Sequence, residues 1–421
     1  MRVLWICKVI TPEYSDIYKV KKRHIEGWIS GMHRALADNS DMDIACCFSI
    51  IDEVKMIKGK SGKLTYYSYH SEIDTREVDE EAISEFCAIY EDYKPDIIHI
   101  WGSEYPHSYA AALAAERVGL LKRVVLHVQG LISAIAPYYS LEIPDKWIDF
   151  SCNNIRSIRE EASDLERRGK YEIELIKSGI TVLGRTSWDK AYIESLSSNV
   201  HYRLCDEILR SDFYDNTDRW KIERARKHTA FISQAYYPIK GLHFILSSVA
   251  KLKQEYNDFH LFISGGSGLI AEDSRKQSPY EQYILSLIQK YKIEDVITFT
   301  GTLDSMQMIK MFLECNVFIC PSTIENSSNS IGEAQLLGVP VVASYTGGTP
   351  DLITHGETGL MYQMDSDYMF MSCIKRVFDD DAFATRMSVE EQRVASERYN
   401  RDRIKKQLLT IYEELIENNL A

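Results

Sequence analysis

The residues best equipped for chemistry lie in one stretch, Pro321–Asp351, PSTIENSSNSIGEAQLLGVPVVASYTGGTPD. The apolar run Val317–Cys320 ends in a small polar loop, Glu325–Ser330, and a helix is predicted to start near Ser330 and carry Glu333. Gly338-Val339-Pro340 ends that helix, and Val341–Ser344 reads as the next strand. A Ser- and Asn-rich loop opening a helix offers backbone N–H groups and a positive dipole end to an anion, most naturally a phosphate. Glu325 and Glu333 bracket this loop. Carboxylates repel phosphate, so they suit hydroxyl donors, with sugar and ribose hydroxyls the obvious partners. On residue types alone a second account stays open: Glu325 as a solvated loop charge, and Glu333 as a helix N-terminal carboxylate favouring the dipole.

Other motifs carry less. Gly266-Ser267-Gly268-Leu269-Ile270-Ala271 matches the dinucleotide fingerprint GxGxxA after the run Leu261–Ser264. That chemistry needs a helix at once and an acidic residue ending the next strand. The chain runs instead into Glu272-Asp273-Ser274 and Gln277-Ser278-Pro279, and the next strand ends Thr298-Phe299-Thr300 without a carboxylate. Asp41-Met42-Asp43 and Asp365-Ser366-Asp367 are taken as chance DxD matches. No His/Cys group has zinc spacing, and there is no Gly-x-Ser-x-Gly elbow or P-loop. Lys19, Lys21, Lys22 and Arg23 form a basic cluster between Thr11 and Gly27, suited to a phosphate, an anionic membrane surface, or simply water. Arg156, Arg159, Arg167, Arg168 and Lys170 are balanced by Glu160, Glu161, Asp164 and Glu166, as on a solvated helix face.

The elements that must position these residues alternate between short apolar runs and helical patterns. Val3–Cys7, Asp96–Trp101, Val124–Val128 and Ile180–Leu183 read as strands in the first half. Ala230–Ser233, His260–Ser264, Val296–Thr300, Val317–Cys320 and Val339–Ser344 read as strands in the second. Such near-continuous apolar runs mark parallel sheets covered on both faces. Positions 242, 245, 246, 249 and 252 follow the helical period. The alternation implies α/β architecture. It resets after the polar stretch Arg210–Lys227, which places a boundary near residue 215. The reading is therefore 1–215, 216–398, and a terminal segment 399–421 holding an amphipathic helix that could cross back onto the first domain. The 421 residues give ample length for two such cores. Asp plus Glu total 62 against 49 Lys plus Arg, a net charge of −13, which disfavours a nucleic-acid-binding surface. No apolar run reaches membrane-span length. Nine cysteines without a CxxC pair fit a reducing cytoplasm.

Glu325-x7-Glu333, followed by GVPVVAS and Gly347-Gly348, resembles the donor-site motif of the retaining glycosyltransferases of family four, the "group 1" transferases. The resemblance covers most of residues 230–365, including Lys240-Gly241, Ser264-Gly265-Gly266 and Thr300-Gly301-Thr302. The N-terminal half matches more loosely, at Pro95–His99, Gln129-Gly130 and Gly184-Arg185-Thr186. It implies the GT-B fold: two Rossmann-like, doubly wound parallel-sheet domains facing a central cleft. It also implies transfer of a sugar from a nucleoside-diphosphate sugar to a hydroxyl acceptor, with no metal and no other cofactor.

Carried over residue by residue, Glu325 meets the donor sugar and Glu333 the ribose. Amides near Asn329 and Ser330 cradle the pyrophosphate, with Gly27, Gly266 and Thr302 as further donor contacts. Lys240 steadies the leaving pyrophosphate. Gln129 stands where many relatives place a His that touches the donor sugar. Relatives also carry an Arg five or six residues before the Lys; here those positions hold Ala235 and Gln234. Arg185 and Arg210 are the candidate substitutes. The usual Gly-Phe-Gly after the first Glu is Asn326-Ser327-Ser328. Lys22, Arg23 and Glu104 are candidate acceptor or phosphate contacts. The implied acceptor is a saccharide or lipid-linked saccharide of cell-surface polysaccharide or glycolipid synthesis, in the cytoplasm, with peripheral contact at the inner membrane face left open. Two rivals remain: another sugar-nucleotide enzyme of this fold, such as an epimerase, and a degenerate, non-catalytic binding protein.

Overall fold

A computed structural model describes residues 1–8, 27–37, 42–50, 58–61, 64–70, 77–78, 80–152 and 155–420. It divides into two compact units: residues 1–134, 165–208 and 399–421, and residues 135–164 and 209–398.

The first unit is built on an eight-stranded sheet. Its strands are β1 (Arg2–Cys7), β2 (Asp43–Ile50), β3 (Lys58–Ser61), β4 (Leu64–His70), β5 (Ile97–Trp101), β6 (Val124–His127), β7 (Thr181–Gly184) and β8 (His201–Leu204). Their order is β3-β4-β2-β1-β5-β6-β7-β8. All neighbours are parallel except β3 and β4. Val3 to Cys7 and Ile97, Ile98 and Ile100 are wholly buried, as strands covered on both faces require. The sequence reading missed β2, β3, β4 and β8. Half of Asp43–Ile50 is Ala, Cys and Ser, and Leu64–His70 is mostly Tyr, Thr and Ser, without a Val/Ile run to announce them.

The second unit carries a six-stranded, all-parallel sheet: β9 (Thr229–Ile232), β10 (His260–Ser264), β11 (Ile297–Gly301), β12 (Val317–Cys320), β13 (Val341–Ser344) and β14 (Leu360–Tyr362). The order is β11-β10-β9-β12-β13-β14. The chain winds outward from β9 to β11, then returns to lay β12 to β14 on the other side. That reversal makes the gap between the carboxyl ends of β9 and β12 a topological switch point, where ligands bind in such sheets. Helix Leu242–Glu255 buries Leu242, Ile245, Leu246, Val249 and Leu252, the stripe expected from the helical period.

The segment 135–164 precedes the boundary read near 215, yet it packs with the second unit. His243 reaches the Leu141 carbonyl at 3.0 Å, and the Trp147 and Tyr283 rings lie 5.7 Å apart. The last helix, Arg401–Leu420, belongs to the first unit, where Tyr412 is buried against His99. Among the described residues, no helix is long and apolar enough to cross a membrane.

Candidate active site

The second unit's site forms where β9 and β12 diverge. After β12 the chain makes the loop Pro321–Ser328, then helix Asn329–Leu337. After β9 it makes the turn Ser233–Tyr237, a 3₁₀ turn Pro238–Lys240, and helix Leu242–Glu255. Two backbone features lock these segments together. The Thr323 N–H donates to the Ile239 carbonyl at 2.8 Å. Gly241 has φ +67°, and a Cβ there would sit 2.0 Å from the Pro321 carbonyl oxygen. Only glycine permits both that conformation and that approach.

The lock brings Lys240 Nζ to 2.7 Å from Glu325 Oε2. Both side chains are 16% exposed. Ser322 Oγ also donates to Glu325, at 3.2 Å. Burial by itself would lower the Lys240 pKa, but Glu325 and the neighbouring Tyr237 outweigh it and raise it. The ammonium is therefore held charged. The Glu325 backbone is braced from β13: the Gly348 N–H donates to its carbonyl at 2.9 Å, and Thr346 Oγ1 donates to Thr323 O at 2.8 Å. Gly347, at φ +50°, lies so close that a Cβ would meet the Glu325 carbonyl oxygen at 2.0 Å. Position 347 therefore requires glycine for both its conformation and its close approach.

Helix Asn329–Leu337 differs at its N-terminus from helices Ser187–Leu196, Pro279–Tyr291 and Ser305–Glu314, which carry reciprocal side-chain capping boxes. The Ser328 side chain makes no capping bond. The first turn thus keeps its dipole and amides directed at the loop, the arrangement that binds anions. Ser330 Oγ meets Ser233 Oγ at 2.9 Å, joining this turn to the end of β9. Gly338, at φ +74°, caps the far end of the helix as the sequence indicated.

Glu333 lies one turn into the helix and is nearly wholly buried. Its two oxygens accept from Arg210 Nε and Nη2, each at 2.6 Å. Arg210 is thus tied to a carboxylate. Burial works against its charge, but Glu333 more than compensates and its pKa is raised. The sequence offered no sign of this pair, because the partners are 123 residues apart. At the positions where relatives carry Arg, Ala235 is buried and Gln234 adopts φ +55°, a left-handed conformation uncommon for a residue with a Cβ. Gly265 and Gly266 lie beneath Tyr236, at φ +87° and +69°. Thr302 is exposed just beyond β11. The fingerprint at Gly266–Ala271 continues into a single 3₁₀ turn, Gly268–Ile270, which is not the helix that dinucleotide binding requires.

The first unit holds the remaining candidates. Gln129 follows β6, and its side-chain amide donates to Glu207. Arg185 donates from Nη1 to Glu207 Oε2 and from Nη2 to the Gln129 carbonyl, both at 2.9 Å. Burial raises the Glu207 pKa, with Arg185 and Gln129 opposing. Glu104 accepts from the Gly130 N–H at 2.9 Å. Glu172, unremarked in the sequence, accepts from the Ile132 and Ser133 N–H groups and from the Ser103 and Ser133 hydroxyls. Burial pushes its pKa up to about 7 against those bonds. The segment 129–133 is therefore pinned at the carboxyl end of β6. His127 is wholly buried, its ring stacked beside Trp101 and its Nε2 3.7 Å from Glu207 Oε1, with burial and Arg185 pushing its pKa down to about 3. Gly27 opens helix Gly27–Ala37. Lys22 and Arg23 lie outside the described residues.

Two parallel-sheet α/β units with this strand order define a GT-B protein. Aligned with sucrose-phosphate synthase from Thermosynechococcus elongatus, the chain gives a TM-score of 0.72 at 16% identity, covering 99% of this chain and 100% of that one. With Anabaena Alr3699/HepE, in complex with UDP and glucose, the TM-score is 0.67 at 13% identity, covering 98% and 100%. Residues 215–394 match the family described as glycosyl transferases group 1. It is 26% identical over 181 residues to YtcC of Bacillus subtilis (strain 168), an alignment spanning 42% of this chain and 43% of that one. The chain thus spans less than half the length of that relative.

Proposed function

We propose that this chain is a retaining glycosyltransferase that moves a sugar from a nucleoside-diphosphate sugar to a hydroxyl acceptor. The observation that carries the reading is the Lys240–Glu325 pair at the switch point, beside the first turn of helix Asn329–Leu337 and one turn from Glu333. The match of residues 215–394 to a glycosyl transferase family supports it, as does the fold shared with a protein whose structure holds UDP and glucose.

In this reading the sugar C1–O bond to the β-phosphate breaks while the acceptor oxygen bonds C1 on the same face. The acceptor proton passes to the leaving phosphate oxygen. Lys240 offsets the charge that builds on the pyrophosphate, and the helix amides at Asn329 and Ser330 share it. Glu325 orients the sugar hydroxyls, and Glu333 the ribose. Gly266 and Thr302 border the nucleotide. In the first unit, Gln129 serves the sugar, and Glu104 the acceptor. We take the reaction to be metal-independent and the acceptor to be a saccharide or lipid-linked saccharide of a cell-surface polysaccharide or glycolipid. The setting proposed is the cytoplasm, with peripheral contact at the inner membrane face.

One observation favours a second reading, binding without turnover. Gln234 and Ala235 replace the usual Arg, and Arg185 and Arg210 are both tied to carboxylates. Thermal stabilisation across a panel of nucleoside diphosphates and their sugars, followed by nucleoside-diphosphate release with and without saccharide acceptors, separates the readings. At about 100 times the dissociation constant a ligand adds about 2.7 kcal/mol to apparent stability. Selective stabilisation lost in Glu333→Gln and Lys240→Ala, with acceptor-dependent release, supports transfer. Stabilisation without release supports binding alone. No stabilisation by any nucleotide refutes both.

A further inference from the structure

Arg210 grips Glu333 side-on. Nε and Nη2 each donate at 2.6 Å to a different carboxylate oxygen, the bidentate fork that fixes both groups in one plane. The carboxylate is 4% exposed and the guanidinium 16%. The guanidinium also lies over the Phe213 ring, 4.8 Å from its centroid, and Phe213 is wholly buried. Packing and two short bonds thus leave the Glu333 side chain no rotational freedom. Each oxygen has accepted one donor and retains a second lone-pair site.

We infer that Arg210 is a positioning residue that aims the remaining acceptor sites of Glu333 at a vicinal diol, making the site selective for ribonucleotides over deoxyribonucleotides. This rests on the nucleotide-sugar reading above. A ribose presents two neighbouring O–H donors, and a carboxylate held in one plane receives both without losing side-chain entropy on binding. A freely rotating carboxylate pays that entropy and discriminates less. Lysine cannot substitute, because its ammonium is a point charge without the parallel N–H pair. A role confined to neutralising a buried charge would be met by either cation.

The test uses the full chain and the nucleoside diphosphate that binds it most tightly among UDP, GDP, ADP, CDP and dTDP. The dissociation constant of the chosen ribonucleotide is compared with that of its 2′,3′-dideoxy counterpart; if dTDP binds best, UDP is the ribonucleotide used. In wild type the ratio should be about tenfold or more, the range for a hydrogen bond to a charged group. In Arg210→Ala and Arg210→Lys the ribonucleotide should weaken by about tenfold while the dideoxy form stays within about threefold, so the ratio falls towards one. Retained dideoxy binding serves as the folding control, and Arg210→Lys covers the case in which Arg210→Ala does not fold. An unchanged ratio in Arg210→Lys overturns the positioning role while leaving the nucleotide site intact. If wild type binds a nucleotide without discriminating, the ribose role of Glu333 fails and the inference with it. If wild type binds no nucleotide, the nucleotide-sugar reading itself fails.

Discussion

Removing the Lys240 ammonium tests stability and chemistry in one cycle of variants. Lys240→Met keeps most of the aliphatic stem and deletes the charge. At 2.7 Å, with an effective dielectric constant of about 20, the gross attraction to Glu325 is about 6 kcal/mol. Desolvation of two largely buried groups cancels much of this. Breaking a fully buried pair costs about 3–5 kcal/mol, and solvent reaches both partners here, so about 2–3 kcal/mol is expected. Glu325→Gln in the same chain leaves no orphaned charge, so the double variant should recover most of the loss. Activity should not follow. If Lys240 stabilises the leaving pyrophosphate, both Lys240 variants should lose about 10²–10³ in kcat, the cost of deleting one preorganised donor to a developing charge. Urea unfolding of the four chains and nucleoside-diphosphate release give the two readouts. A double variant no more stable than Lys240→Met would refute the pairing. A Lys240→Met enzyme within about threefold of wild-type kcat would refute the catalytic role.

Gly347→Ala should destabilise by about 2 kcal/mol or more and weaken nucleotide-sugar binding. It forces a Cβ into φ +50° and against the Glu325 carbonyl oxygen at 2.0 Å. Gly356→Ala is the control: it has φ +84° with nothing within 4 Å, so only backbone strain of about 1–2 kcal/mol applies. Equal effects in thermal unfolding would dismiss the contact. Glu391 is wholly buried, and burial raises its pKa well above the carboxylate range, with only the Val341 backbone opposing. The folded chain therefore holds a proton that the unfolded chain releases near pH 4.3, so stability falls as pH rises above that value, by about 1.4 kcal/mol per unit, until the folded pKa is passed. Glu391→Leu should remove this slope and stabilise the chain at pH 7.5. Parallel stability–pH curves for the two chains would refute the assignment.

The parts legible in the sequence were those set by local chemistry. Apolar runs located β1, β5, β6, β7 and β9 to β13 to within a residue or two, because strands buried on both faces need uninterrupted apolar character. Polar punctuation and Gly338 set the bounds of helix Asn329–Leu337, with Glu325 in the loop before it and Glu333 within it. Strands β2, β3, β4, β8 and β14 were not legible, because their residues become strands only through the neighbours they pair with. Nor could spacing show that Arg210 would hold Glu333, that Glu172 would pin the segment before Ala134, or that residues 135–164 would pack with the second unit. Local periodicity reflects which face of an element is buried. Which distant charge faces which depends on strand order and on where loops leave the sheet, and for this chain the tertiary structure alone decided that the two glutamates of the motif would each be answered by a cation.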